Sequence, residues 1–204
     1  MRIITGTAKG VVLSTLEGEA TRPTGDRVKE ALFSMIQFDI EGRRVLDLFA
    51  GSGQLGLEAL SRGAEHCVFI DESRAAADIV LANAKKTKLF DKCRISSADF
   101  AAFLRGAAGR EAFDLIFLDP PYASGYVAQA LSLIAEGSLL RAGGRIVCET
   151  DIGAAPLKKE LKSEEYHTRR VLEQVFASDA ALREKYSVAR TALYGRTRIT
   201  LLEQ

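Results

Sequence analysis

The sequence predicts an α/β protein built on a doubly wound, mostly parallel sheet, and three observations predict it. Short strand-like runs recur along the centre: VLDLF at 45–49, CVFI at 67–70, CRIS at 93–96, DLIFL at 114–118 and RIVCE at 145–149. Segments of helical spacing separate them, and a glycine cluster, Gly51-Ser-Gly53, closes the first run. Strands without polar alternation belong to a sheet covered on both faces, and helical crossovers make neighbouring strands parallel.

Each element follows in order. IITG and VVLST, around Lys9-Gly10, read as two short antiparallel strands. Thr24 or Asp26 is then placed to cap a helix in which Val28, Ala31, Leu32, Met35 and Ile36 share one face. QLGLEALSRG continues the first central strand as a helix, and a second helix runs from about Ser73 to Lys86 with Ala76, Ala77, Val80, Leu81 and Ala84 on one side. A short helix from Asp99 to about Leu104 follows the third strand. Pro120 and Pro121 end the fourth, after which Val127, Ala130, Leu131 and Ile134 fall in helical register. Near the C-terminus, RRVLEQVF and TRITLLE alternate and are expected to pair as an antiparallel hairpin at the sheet edge. The stretch between them, within which 177–192 stands out as long, is part helical in pattern and has no assigned place.

A chain of 204 residues is one domain by length and buries roughly 70% of its unfolded surface, so it needs no covalent staple. With 47% hydrophobic and 27% charged residues it is neither disordered nor collagen-like. The apolar runs are too short to span a bilayer, and MRIITGTAKG has no apolar leader core, so a cytoplasmic protein is expected. Cys67, Cys93 and Cys148 lack metal-ligand spacing and sit in strand-like stretches, as small core residues of a reducing compartment do. His66 and His167 have no partner residues nearby in sequence and read as surface or structural. Residues 45–157 carry eleven Lys/Arg against fourteen Asp/Glu, whereas 158–204 carry ten against seven. The acidic centre and basic flanks permit a polyanionic partner without establishing one.

Two constellations carry chemistry. The first is Asp47-Leu-Phe-Ala-Gly51-Ser-Gly53-Gln-Leu-Gly56. Glycines directly after a strand let the backbone turn tightly and approach a ligand, while the next helix presents free N–H groups. Asp71 ends the second strand, where a carboxylate can accept ribose hydroxyls, and Asp99 follows the third, where it can read an adenine amine or cap a helix. This spacing alone also fits a nicotinamide dinucleotide. The second is Asp119-Pro120-Pro121-Tyr122, at the carboxyl edge of the fourth strand. The prolines fix the backbone and remove N–H donors, so an acid, an acceptor carbonyl and an aromatic face stand together. That set suits a planar ring bearing an exocyclic amine, with Tyr122 stacking on it.

Together these residues resemble an amino-methylating class I S-adenosylmethionine methyltransferase. More narrowly, RIITGTAKG, TRPTGDRVKEALF, DLFAGSGQLGLEALSRGA, FIDESRAA, DLIFLDPPY and YGRTRITLL are similar to the RsmD family of bacterial 16S ribosomal RNA guanine-N2 methyltransferases. The resemblance covers most of the chain. It implies a Rossmann-like sheet of seven strands whose last hairpin is antiparallel. It implies an N-terminal extension, 1–40, that helps hold RNA, before a methyltransferase domain, 41–204. S-adenosylmethionine is then assigned to Asp47, Gly51, Gly53, Asp71 and Asp99, and catalysis to Asp119, Pro120 and Tyr122. Arg22, Thr24, Arg27 and Pro121 fall to the substrate, a 16S rRNA in a small-subunit particle or assembly intermediate, met by a monomer. No metal is implied. Three rivals stay open: methylation of adenine N6 or a protein amide, a non-catalytic RNA-binding assembly factor, and a nicotinamide oxidoreductase.

Overall fold

The computed structural model describes residues 1–15, 25–121, 125–151, 176, 179–195 and 197–204. After an N-terminal segment come α1 (Asp26–Met35), β1 (Arg44–Asp47), α2 (Gln54–Ser61), β2 (His66–Asp71) and α3 (Arg74–Lys86). Then follow β3 (Cys93–Ser97), α4 (Phe100–Ala107), β4 (Phe113–Leu118), α5 (Tyr126–Glu136) and β5 (Leu140–Asp151). A short helix, α6 (Ala180–Lys185), leads into β6 (Ser187–Tyr194) and β7 (Thr197–Glu203).

One seven-stranded sheet has the order β3-β2-β1-β4-β5-β7-β6. β1 to β5 are parallel, and β7 runs antiparallel between β5 and β6. Two apolar layers cover its faces. Leu32 and Phe33 of α1, Leu57 of α2 and Val80 of α3 meet Val45, Phe69, Leu115 and Phe117 on one side. Leu104 of α4, Leu131 of α5 and Leu182 of α6 meet Leu46, Ile70, Leu118 and Cys148 on the other. Strand order reverses between β1 and β4, so the crevice above these two strands is where a ligand of this fold binds. Among the described residues no helix is long and apolar enough to cross a membrane.

The ends differ from the sequence expectation in three places. The opening residues form one isolated antiparallel bridge, Arg2 with Val12, in place of two paired strands. The backbone between is held elsewhere: Glu58 accepts the N–H of Ile4 and of Thr5, and Ser61 that of Thr7 and of Ala8. Helix α1 is capped by Gly25 without a side-chain bond, and Asp26 lies in its first turn, 3.1 Å from Arg2 Nε; Thr24 lies outside the described residues. The final hairpin joins β7 to Ser187–Tyr194 through a turn at Gly195, not to the expected RRVLEQVF partner. A tight turn closes far less loop than a return over twenty residues. The stretch 177–192 thus supplies α6 and most of β6, while Phe176 is helical and the rest of RRVLEQVF lies outside the described residues.

Candidate active site

The turn after β1 divides its work among three glycines. Gly51 and Gly53 adopt φ of 52° and 77°, the left-handed region that side chains other than glycine's enter at a cost. A Cβ on Gly51 would meet open space, whereas one on Gly53 would come within 3.1 Å of Val80. At Gly56 a Cβ would stand 2.3 Å from the Phe69 ring, so this glycine lets α2 lie close on β2. Gly51 alone of the three opens onto a cavity.

That cavity, of about 650 Å³, lies over the carboxyl ends of the central strands. Gly51, Asp71 and Asp99 line it together with Asp119, Pro120 and Pro121. The two halves that the sequence analysis derived separately therefore share one space. Phe49, Phe100 and Tyr126 supply apolar wall: Phe49 and Tyr126 lie parallel with ring centroids 6.1 Å apart, and Phe100 tilts against both at 5.1 and 5.0 Å. Asp71, Glu72, Asp99 and Asp119 bring four carboxylates to the described walls, against the single guanidinium of Arg105. The cavity favours a cationic ligand.

Each acid is held differently. Asp71 accepts the Gly51 N–H at 2.8 Å and the Ser73 N–H at 2.9 Å. Asp99 caps α4 by accepting the Ala102 N–H at 2.7 Å and also lies on the cavity wall. Asp47, 2% exposed, lies beneath the turn and accepts the Gly56 N–H at 2.9 Å. Burial pushes its carboxyl up to about 7, the Gly56 bond opposes this, and the charge of Asp71 adds to it. Burial also pushes Asp119 well above the usual carboxylate range, reinforced by Glu149 and then Asp47.

Asp47 and Gly53 do not reach the described cavity walls; they shape the turn that does. Arg27 is exposed on α1 and is not on those walls either. Arg22, Thr24 and Tyr122 lie outside the described residues. His66, half-buried on β2, is held below its ordinary value by burial and by the charges of Arg44 and Arg94; His167 is not described. Among the described residues no cluster of ligating side chains could hold a metal.

Sequence reasoning missed the aromatic wall and a buried clamp between α1 and α2. Lys29 and Glu58, both 0% exposed, pair at 3.4 Å, and Lys29 also donates to the Arg2 carbonyl. Glu58 further accepts from Arg62 at 2.8 Å. The amide of Asn83 exchanges hydrogen bonds with Ser14 and donates to the Ser52 carbonyl, so α3 grips both the N-terminal segment and the glycine turn. The signal was a lysine on the apolar stripe it shares with Leu32, Phe33 and Ile36, and a glutamate inside the apolar run LGLEAL.

A family model described as conserved hypothetical protein 95 matches residues 1–178. YlbH of Bacillus subtilis, whose name assigns it provisionally to the rRNA methyltransferases, is 47% identical over 74% of this chain and 83% of its own length. Ribosomal RNA small subunit methyltransferase D of Haemophilus influenzae is 38% identical over 74% of this chain and 79% of its own. Among solved structures, Escherichia coli yhhF, provisionally named a methyltransferase, superposes with a TM-score of 0.76 at 27% identity, covering 100% of this chain and 97% of that one.

Proposed function

The chain belongs to the RsmD family, and on that premise we propose that it transfers the methyl group of S-adenosylmethionine to the exocyclic N2 amine of a guanine in 16S rRNA. The observation that carries this reading is the single cavity onto which Gly51, Asp71 and Asp99 open together with Asp119 and Pro120.

The cofactor fits what the cavity presents. The missing side chain of Gly51 leaves its backbone open to a ligand, carboxylates outnumber cations on the described walls, and the rings of Phe49, Phe100 and Tyr126 offer apolar surface. Gly51, Asp71 and Asp99 would hold the molecule, with Asp47 and Gly53 shaping the turn beneath it. When bound, S-adenosylmethionine supplies an electrophilic methyl on a positively charged sulfur.

The chain's own residues do the rest. A guanine N2 lone pair is delocalised into the ring and is a poor nucleophile. Ionised Asp119 accepts one hydrogen of the amine and the Pro120 carbonyl the other, which localises that lone pair and fixes its direction. Tyr122 stacks on the base, and Pro121 stiffens the loop between. Rate enhancement by such a site is positioning and electrostatics. A base must leave its stack to reach an enclosed site, so the substrate is a loop or an open region of a small-subunit particle or assembly intermediate. Residues 1–40, with Arg22, Thr24 and Arg27, line the approach of the RNA to a cytoplasmic monomer.

The test is transfer of labelled methyl from S-adenosylmethionine to unmethylated small-subunit particles and to naked 16S RNA, with nucleoside analysis of the product. Label in N2-methylguanosine is the expected result. Label in N6-methyladenosine or in protein would move the assignment to another amine, and no label in any substrate would overturn it.

A further inference from the structure

The cavity does little to attract an RNA. Its described walls carry Asp71, Glu72, Asp99 and Asp119 against Arg105, and the whole chain has a net charge of only +1. Such a mouth repels phosphates, so the attraction that brings a polyanion to it has to come from cations concentrated elsewhere. One such concentration stands where α3 ends. Residues 85–94, KKTKLFDKCR, carry four lysines and Arg94 against Asp91 alone. Lys85, Lys86, Lys88 and Lys92 are all exposed. Among the described residues none of these four is in an ion pair, whereas Arg94 is held by Glu111 at 2.8 Å.

Two features of this turn go beyond a solvated helix end. A helix C-terminus favours cations in its last turn, which accounts for Lys85 and Lys86. Lys88 lies past it at a φ of 60°, in the left-handed conformation that closes the helix. Its N–H donates to the Lys85 carbonyl at 3.0 Å, and that of Leu89 to the Ala84 carbonyl at 2.9 Å. Glycine is the usual residue at such a stop, and a lysine there is strained. Phe90 is the second feature. Leu89 is buried, whereas Phe90 is 44% exposed, with Lys85 Nζ 5.8 Å from its ring centroid. An open aromatic face among unpaired ammonium groups suits unpaired nucleotides, because the ring stacks on a base while the cations meet the flanking phosphates.

We propose that Lys85, Lys86, Lys88, Phe90 and Lys92 form a second RNA contact, which grips a single-stranded stretch of the substrate away from the guanine to be methylated. The inference rests on the reading of the chain as an rRNA methyltransferase and deepens it. Ser73, which caps α3, lines the cavity, and the helix then runs 13 residues to Lys86. The contact therefore lies about 20 Å from the cavity. β3, which follows the patch, is an edge strand of the sheet. An extended RNA reaches both places at once, so the patch adds affinity for 16S RNA and leaves the chemistry in the cavity unchanged.

Binding of the whole protein to naked 16S RNA is measured over a series of salt concentrations, beside methyl transfer to the same RNA. A triple variant, Lys86→Gln with Lys88→Gln and Lys92→Gln, should bind about tenfold more weakly. It should also lose roughly two from the slope of log affinity against log salt. Its KM for RNA should rise, while kcat and the affinity for S-adenosylhomocysteine stay within about twofold of wild type. Phe90→Leu keeps an apolar side chain without the flat ring and should weaken binding several-fold with the salt slope unchanged. Lys88→Gly relieves the strained turn, so it should raise the melting temperature and yet weaken RNA binding about threefold. A residue that served only the fold would show the gain without the loss. Wild-type affinity and slope in the triple variant would overturn the proposal. So would a loss confined to small-subunit particles, which would assign the patch to a ribosomal protein. Should the triple variant not fold, Lys88→Gly decides alone: unchanged RNA binding overturns the contact. A wild-type protein that binds 16S RNA through the patch but methylates no RNA overturns the activity proposed above and not the contact; one that binds no RNA overturns both.

Discussion

The carboxylate of Asp71 accepts the backbone N–H of Gly51 at 2.8 Å, across twenty residues of sequence. Its second oxygen accepts the N–H of Ser73 at 2.9 Å, so one side chain ties the ends of β1 and β2 to the start of α3. Asp71 also lines the cavity.

Asp71→Asn keeps a side chain of the same shape but only one acceptor oxygen and no charge. It should weaken S-adenosylmethionine and S-adenosylhomocysteine alike, by about ten- to a hundredfold, since the ribose hydroxyls that Asp71 would accept are common to both. Titration calorimetry checks this. Affinities within twofold of wild type would mean that Asp71 serves the turn alone.

Gly51→Ala places a methyl group toward the cavity at a φ of 52°. The strain should lower stability by about 1 kcal/mol. Ligand affinity should fall by more than that loss explains, because the methyl occupies space the backbone leaves open. Thermal denaturation and binding measured on one preparation separate the two effects; a loss of stability with unchanged binding would contradict the assignment.

The buried clamp predicts an asymmetry. Glu58→Ala leaves the Lys29 ammonium without its carboxylate in a fully buried position and should destabilise the protein by roughly 3–5 kcal/mol. Lys29→Met should cost less, because Glu58 still accepts from Ile4, Thr5 and Arg62. Urea denaturation of the two variants gives the order, and the reverse order would contradict this account of the clamp.

Asp47 predicts a pH dependence. Its carboxyl is pushed up from 3.8 to about 7 in the fold, so the folded protein holds that proton more tightly than the unfolded chain does. Its contribution is greatest below pH about 4 and is lost as pH rises to about 7. Relative to wild type, Asp47→Asn should therefore gain stability across that window, by up to about 4 kcal/mol. A difference between the two proteins that stays constant with pH would show that Asp47 does not titrate there.

Much of this was legible in the residues. Apolar runs around Val45, Val68 and Ile116 gave the parallel centre, and Gly51, Asp71, Asp99 and Asp119 declared the cavity, because strand ends followed by glycine, proline or acid carry strong local signals. The ends were harder. Ile4 and Thr5 look like strand, yet their N–H groups go to Glu58, more than fifty residues away. Ser187–Tyr194 follows a helical stretch that masks its alternation, and its place depends on β7 being free on that edge. The aromatic wall escaped notice because Phe49, Phe100 and Tyr126 come from three separate segments of the chain that only the folded structure brings together.

The central claim, that the Asp119 side of the cavity carries transfer while the Gly51 side holds the cofactor, is tested most directly with Asp119→Ala. Transfer of labelled methyl to small-subunit particles and the affinity for S-adenosylhomocysteine are measured on the same protein. Transfer lost by a factor of about a hundred or more, with that affinity within a few-fold of wild type, is the predicted result. Loss of both in equal measure would contradict it and leave Asp119 a structural residue.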